Sequence, residues 1–245
     1  MIKVRNLEKK YQDTLVLKNI NMTIENGEFV AIMGASGSGK TTLLNCISTI
    51  DIPTNGEIFY NDKNISSFDE NELSEIRSKN LAFVFQDYNL LDKFDVFDNI
   101  ALKLTLFDVK YDEIQKRVED VAKQLKLTHI LHKYPHQISG GEKQRVAIAR
   151  ALIGNPSILI GDEPTGALDS VSSETVMELM RTIHSLYKVS ILLVTHSEYV
   201  ASYADRVIFI KDGSIEKELL KDKTKKQKEF YEEILNISKD GIGED

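Results

Sequence analysis

The stretch "FVAIMGASGSGKTTLLNCIS", residues 29–48, limits the fold more tightly than any other part of the chain. Five apolar residues without polar alternation fit a central strand covered on both faces. The "GASGSGKT" that follows at 34–41 matches G-x-x-x-x-G-K-[ST] in full and leads into helix-forming sequence, which is the context a phosphate-binding loop needs. Gly34, Gly37 and Gly39, interleaved with Ala35, Ser36 and Ser38, let the backbone wrap an anion with no Cβ in the way. Successive N–H groups and the helix N-terminus then point at the phosphates. Lys40 supplies a point charge to the β- and γ-phosphates, and the Thr41 hydroxyl is suited to ligate Mg²⁺. Cys46, on the same helix, reads as a small buried thiol facing the sheet.

A second group of residues follows strand-like runs. "SILIGDEPT" sets Asp162 and Glu163 at the C-terminal edge of a strand, where open α/β folds bind their ligands. Asp162 is the expected Mg²⁺-organising carboxylate, and Glu163, pointing the other way, is suited to polarise an attacking water. His196 follows "ILLVT" by the same edge logic, within expected reach of the γ-phosphate end. Gln86 ends "LAFVF" at a third strand edge, and its uncharged amide suits transient contact with Mg²⁺ or water.

The rest of the pattern sets the architecture. Ile20, Met22 and Ile24 alternate with polar residues, as in a half-buried antiparallel strand, and "LAFVF" reads as a buried one. Between about 95 and 153 the chain turns helical, with Ile114, Val118, Val121 and Leu125 forming one apolar stripe. Strand-like runs return at 157–160, 190–194 and 206–210, with a helix near 172–187, which predicts a parallel sheet with crossover helices. The tail from about 221 carries Phe230, Ile234 and Ile237 on one face, which predicts a peripheral helix before a disordered end.

Composition excludes several classes. A chain of 245 residues, 42% hydrophobic and 28% charged, buries a substantial core, and its longest apolar runs are far short of a membrane span. The start "MIKVRNLEKKY" lacks the basic stub and apolar block of a signal peptide, so the expected location is cytoplasmic. One cysteine forbids an internal disulfide or a multi-cysteine metal site. A formal charge of −7 argues against general nucleic-acid binding.

With these motifs in this order, residues 1–218 resemble the nucleotide-binding subunits of ATP-binding-cassette (ABC) transporters. The resemblance implies an α/β fold: a P-loop NTPase core of ABC type, an N-terminal antiparallel β subdomain and an inserted helical subdomain at about 88–155, with a helical tail at 219–245. It implies that Tyr11 stacks on adenine, that residues 34–42, through Thr42, form the Walker A loop, and that Gln86 is the Q-loop residue. It makes Ser139, Gly140 and Gly141 the signature loop, Asp162 and Glu163 the Walker B aspartate and catalytic base, "ALD" at 167–169 the D-loop and His196 the switch histidine. The implied activity is Mg²⁺-dependent ATP hydrolysis by two copies closed head to tail, each ATP lying between one copy's Walker A loop and the other's signature loop. The implied partner is a membrane permease at the cytoplasmic face of the membrane, met without direct insertion of this chain. Tyr88, Leu90, Leu91 and Phe94 are the expected docking residues for a cytoplasmic helix of that permease.

"CISTIDIPTNGEI", "FVFQDYNLL" and "ASYADRVIFIKDG" are similar to the bacitracin-type antimicrobial-peptide resistance and sensing ATPases, within the lipoprotein-release and macrolide-export group. A lipoprotein-release or cell-wall-regulating role is the alternative for the same ATPase. The span 41–139 is too short for the coiled coil of DNA-repair ABC proteins, and one cassette is too few for the translation type. A small-molecule P-loop kinase would have no use for the signature loop. Glu142, at a position where the family it resembles commonly has Gln and frequently Glu, falls in the first turn of a helix, where a carboxylate is favourable against the macrodipole; it is expected to cap the helix and to point away from nucleotide.

Overall fold

The computed structural model describes residues 1–222 and 224–239. An antiparallel ribbon comes first, with β1 (Ile2–Tyr11) paired to β2 (Thr14–Ile24). Strand β3 (Phe29–Met33) runs into α1 (Lys40–Ile47), and β4 (Asn55–Tyr60) and β5 (Lys63–Asn64) return to the ribbon. Next come α2 (Glu70–Asn80), β6 (Leu81–Phe85), α3 (Val96–Leu106), α4 (Tyr111–Gln124) and α5 (Gly140–Leu152). The remainder alternates: β7 (Ile158–Asp162), α6 (Ser170–Tyr187), β8 (Ser190–Val194), α7 (Glu198–Ala201), β9 (Arg206–Lys211), β10 (Ser214–Leu220) and α8 (Gln227–Lys239).

Two sheets result, a four-stranded one ordered β2-β1-β4-β5 and a six-stranded one ordered β10-β9-β3-β8-β7-β6. The apolar run of β3 has its explanation here. It lies between β8 and β9, parallel to both, and sends Phe29, Ala31 and Met33 into one core and Val30 and Ile32 into the other. The first core gathers the faces of α3 to α6, the second α1 and the antiparallel strands. Burying each large apolar side chain contributes about 1.5–3 kcal/mol, so a strand apolar on both sides can hold two layers together.

The helices start where local chemistry predicts. Asp69 and Glu72 form a reciprocal capping box on α2, Asp95 accepts from the Asp98 N–H at the start of α3, and Asp169 accepts from the Val171 and Ser172 N–H groups at the start of α6. Ile114, Val118, Val121 and Leu125 are all buried, as their spacing predicts.

Two expectations change. The sheet is not wholly parallel, because β10 pairs antiparallel with β9 through a tight turn at Asp212 (φ 49°) and Gly213 (φ 79°). Strand β6 is an edge strand and only half-covered: Phe83 and Phe85 stack with ring centroids 5.6 Å apart and remain partly exposed. Helix α8 forms where the tail's pattern predicts one, with the expected face of Phe230, Ile234 and Ile237 buried in the first core and the helix packed on α7. The disordered end expected beyond it lies outside the described residues. No helix among the described residues is long and apolar enough to cross a membrane.

Candidate active site

A cavity of about 910 Å³ opens where β3, β7 and β8 end, and α1 begins at its floor. Its lining brings together Tyr11, Gly34, Ala35, Ser36, Gly37, Gly39, Lys40, Thr41, Thr42, Asp162, Glu163 and His196. Residues far apart in the chain converge because parallel strands end on the same side of the sheet.

The loop is shaped by glycines at two places. Gly34 has no room for a side chain, since a Cβ there would stand 2.2 Å from the Ile210 carbonyl oxygen. Gly39 has φ 103°, and its Cβ would stand 2.8 Å from Leu17 Cδ2. Helix α1 therefore begins without a side-chain cap and with no acidic residue in its first turn. Its terminal N–H groups are left for an anion from outside. Ser38 lies beneath the loop, buried, with no hydrogen-bond partner for its hydroxyl.

The charges are arranged around the same point. The Lys40 ammonium, 9% exposed, donates to the Gly34 and Ala35 carbonyls at 2.7 Å each, and burial lowers its pKa below the ordinary lysine value. The Thr41 hydroxyl lies 3.4 Å from Asp162 Oδ2. Burial, and then the charge of Glu163, raise the Asp162 carboxyl above the usual range, which a bound cation would relieve. Glu163 faces away from Asp162 because it takes the left-handed conformation (φ 46°), with its N–H donating to the Val194 carbonyl at 2.9 Å. One of its oxygens accepts from the Thr195 hydroxyl at 3.1 Å; the other accepts from the His196 N–H at 2.9 Å and lies 2.7 Å from His196 Nδ1. Tyr11 is 44% exposed beside the loop, its hydroxyl bonded to Asp51 and its ring under the Lys9 ammonium at 4.8 Å. That bond to Asp51 pushes the phenol up to about 12.

The residues present fit a nucleotide triphosphate with its metal. The uncapped helix start, the lysine and the glycine cradle suit the phosphates; the Thr41 and Asp162 oxygens are hard donors of the kind Mg²⁺ takes. Mg²⁺, when bound, would neutralise charge on the phosphates.

Besides Ser38 beneath the loop, four predicted site residues stand outside the lining. Gln86 does not line the cavity; its amide packs over Gly166, about where a Cβ on that glycine would stand 3.0–3.3 Å away. Ser139, Gly140 and Gly141 are also absent from the lining and open α5, against Tyr88, Leu168 and Ser172. Glu142 does cap that helix: its carboxylate accepts from the Ser139 N–H while Ser139 Oγ accepts from the Glu142 N–H.

The structure adds residues that sequence reasoning passed over. Thr195 holds Glu163, and the strand-edge logic that found His196 applies equally to the residue before it. Gln144, fully buried on α5, donates to the Pro164 carbonyl and so ties the helix of the glycine pair to the turn after Glu163. A polar residue inside an apolar helix face was its only signal. Val16, Val194 and Glu198 complete the cavity wall.

The family model described as ABC transporter matches residues 17–166. The chain is 43% identical over 240 residues to the ABC transporter ATP-binding protein YxdL of Bacillus subtilis, covering 97% of this chain and 93% of the relative. It is 44% identical over 239 residues to the bacitracin export ATP-binding protein BceA of Halalkalibacterium halodurans, covering 96% and 94%. Among solved structures, the dimeric post-hydrolysis state of the ATP-binding cassette MJ0796 bound to ADP and Pi superposes with a TM-score of 0.81 at 39% identity, over 90% of this chain and 98% of that one. A cavity built from a phosphate loop, a carboxylate pair and a histidine thus sits in a chain that is an ATPase and belongs to the ATP-binding proteins of ABC transporters.

Proposed function

We propose that two copies of this chain close head to tail on ATP and drive a membrane permease at the cytoplasmic face, in antimicrobial-peptide resistance or sensing of the bacitracin type. One observation carries the dimer: the cavity gathers the phosphate-loop residues at 34–37 and 39–42, but the predicted signature residues Ser139, Gly140 and Gly141 stand outside it. A second copy is the natural source of that missing wall. The dimeric state of MJ0796 with ADP and Pi, and the bacitracin export named for BceA, support the same reading.

Within each half, Lys40 and the loop amides hold the β- and γ-phosphates, Thr41 and Asp162 hold Mg²⁺, and Tyr11 carries the adenine. Glu163 accepts the proton of the attacking water, and Thr195 and His196 fix its orientation. Gln86, packed on Gly166, joins the site as the halves close. Leu91 (42% exposed) and Phe94 (39% exposed) form the docking face for the permease, with Leu90 anchored in the core beneath them. Residues 1–218 are the cassette, with the helical subdomain at about 88–155, and 219–245 the tail.

The dimer is tested with Glu163→Gln, which keeps the site's shape and removes the base. Hydrolysis should fall at least ~10²-fold while ATP shifts the protein to a dimer in size-exclusion chromatography with light scattering. A variant that hydrolyses normally removes Glu163 from its role. Leu91→Asp should abolish co-purification of the permease expressed with it, and undiminished recovery would sink that face.

A further inference from the structure

The hydroxyl that should read the partner's ATP is already in use. Ser139 Oγ–H donates to Glu142 Oε2 at 2.8 Å, and the same carboxylate oxygen accepts from the Ser139 backbone N–H at 2.8 Å. A serine hydroxyl has one proton, so it cannot serve Glu142 and a phosphate oxygen together. An ordinary capping box needs only the backbone half of this arrangement. The bond from the hydroxyl is additional, and it consumes a donor at an exposed position in a loop whose expected task is to donate.

The carboxylate is itself held in place. His129 Nε2 lies 3.4 Å from Glu142 Oε1, and the positive charge of Arg145 also favours the carboxylate. The bond from the Ser139 N–H, ahead of the other contributions, holds the Glu142 carboxyl below the usual glutamate range, so it is an anion at neutral pH. The Ser139 hydroxyl therefore faces a fixed negative charge in each separate copy.

We propose that Glu142 is a positioning residue that sequesters the Ser139 hydroxyl, so that closure on partner-held ATP requires this hydroxyl to turn from Glu142 to the phosphate. The clamp sets how much ATP is needed to close the dimer. The inference rests on the head-to-tail reading above and deepens it. A Gln at this position would preserve the cap through its carbonyl oxygen but compete less strongly for the hydroxyl.

The test uses the full chain carrying Glu163→Gln, titrated with ATP and Mg²⁺ and read as the fraction of dimer by light scattering. Adding Glu142→Gln should lower the ATP concentration at half-closure by roughly three- to tenfold, the weight of one hydrogen bond. With Ser139→Ala also present, the same change should shift the midpoint less than about twofold. An unchanged or raised midpoint in the first comparison overturns the clamp. Equal shifts with and without the serine hydroxyl overturn it too, because plain charge repulsion would then suffice. Failure of the Glu163→Gln parent to dimerise at saturating ATP would instead sink the head-to-tail reading.

Discussion

Helices α1 and α5 both begin in glycine-rich loops, and they begin in opposite ways. The first has Gly39 at its N-cap in the left-handed conformation, no side-chain cap and no acid in its opening turn. The second has Ser139 at its N-cap in extended conformation, a complete capping box and Glu142 in its opening turn. Every α-helix starts with four N–H groups that the helix cannot satisfy. At α1 they stay open to a ligand; at α5 the chain satisfies part of them itself. Glycine content alone therefore does not make an anion site, and the capping chemistry decides whether a helix start is open or occupied.

The sharpest way to break this contrast is to give α1 a start like that of α5. Gly39→Ser would force a side chain into φ 103° against Leu17, and its hydroxyl would compete for the open N–H groups. ATP affinity should fall roughly 10- to 100-fold, given ~1–3 kcal/mol of backbone strain alone, as measured by displacement of a fluorescent nucleotide. Affinity equal to that of the parent would show that the bare helix start is not what binds. The converse change removes the cap from α5. Ser139→Ala should cost about 0.5–2 kcal/mol, read as a melting temperature lower by about 2–4 °C per kcal/mol in calorimetry. An unchanged melting temperature would mean that the box seen at Ser139 and Glu142 adds nothing to the fold.

The smallest effect sharpens the electrostatic side of the comparison. Asp162 has its pKa raised by burial and by Glu163, so the folded state holds this proton more tightly than the unfolded chain does. Its contribution to stability is fully present below the unfolded pKa and is lost as pH rises through the folded one. Asp162→Asn should therefore melt slightly higher than the parent at neutral pH without nucleotide, by about 1–2 °C, and the gap should close as pH falls below the carboxylate range. A gap that widens in acid would reverse the assigned direction.

The parts of this molecule that a sequence displays openly are those made by contiguous residues. The strand at 29–33, the phosphate loop and α1 are one such segment, and the run ending at Asp162 is another. The helical stripe through Ile114 and Leu125 was equally plain, because period alone marks its buried face. What stayed hidden depends on pairing between distant segments. The half-exposure of Phe83 and Phe85 follows from β6 lying at the sheet edge, which no local pattern reveals. The resting place of Gln86 on Gly166 is of the same kind. Strand β10 was a different miss: "KDGSI" carries the Asp-Gly turn signal of a tight hairpin and went unread. The serine, two glycines and glutamate at 139–142 announced a cap, but not that the hydroxyl would be captured as well as the amide.

Strand β3 carries a consequence for how the chain is made. It emerges early from synthesis as five apolar residues, yet both neighbours that cover its edges, β8 and β9, lie some 160 to 180 positions later. Nascent chain through α6 already contains the elements that cover its two faces, but the strand's backbone N–H and C=O groups have no sheet partner until the last quarter of the protein is out. Pairings of such long sequence separation are slow to form, and the waiting segment is an open template for other chains. Expression at reduced temperature, or with holding chaperones in excess, should accordingly raise the soluble yield more than any surface substitution would.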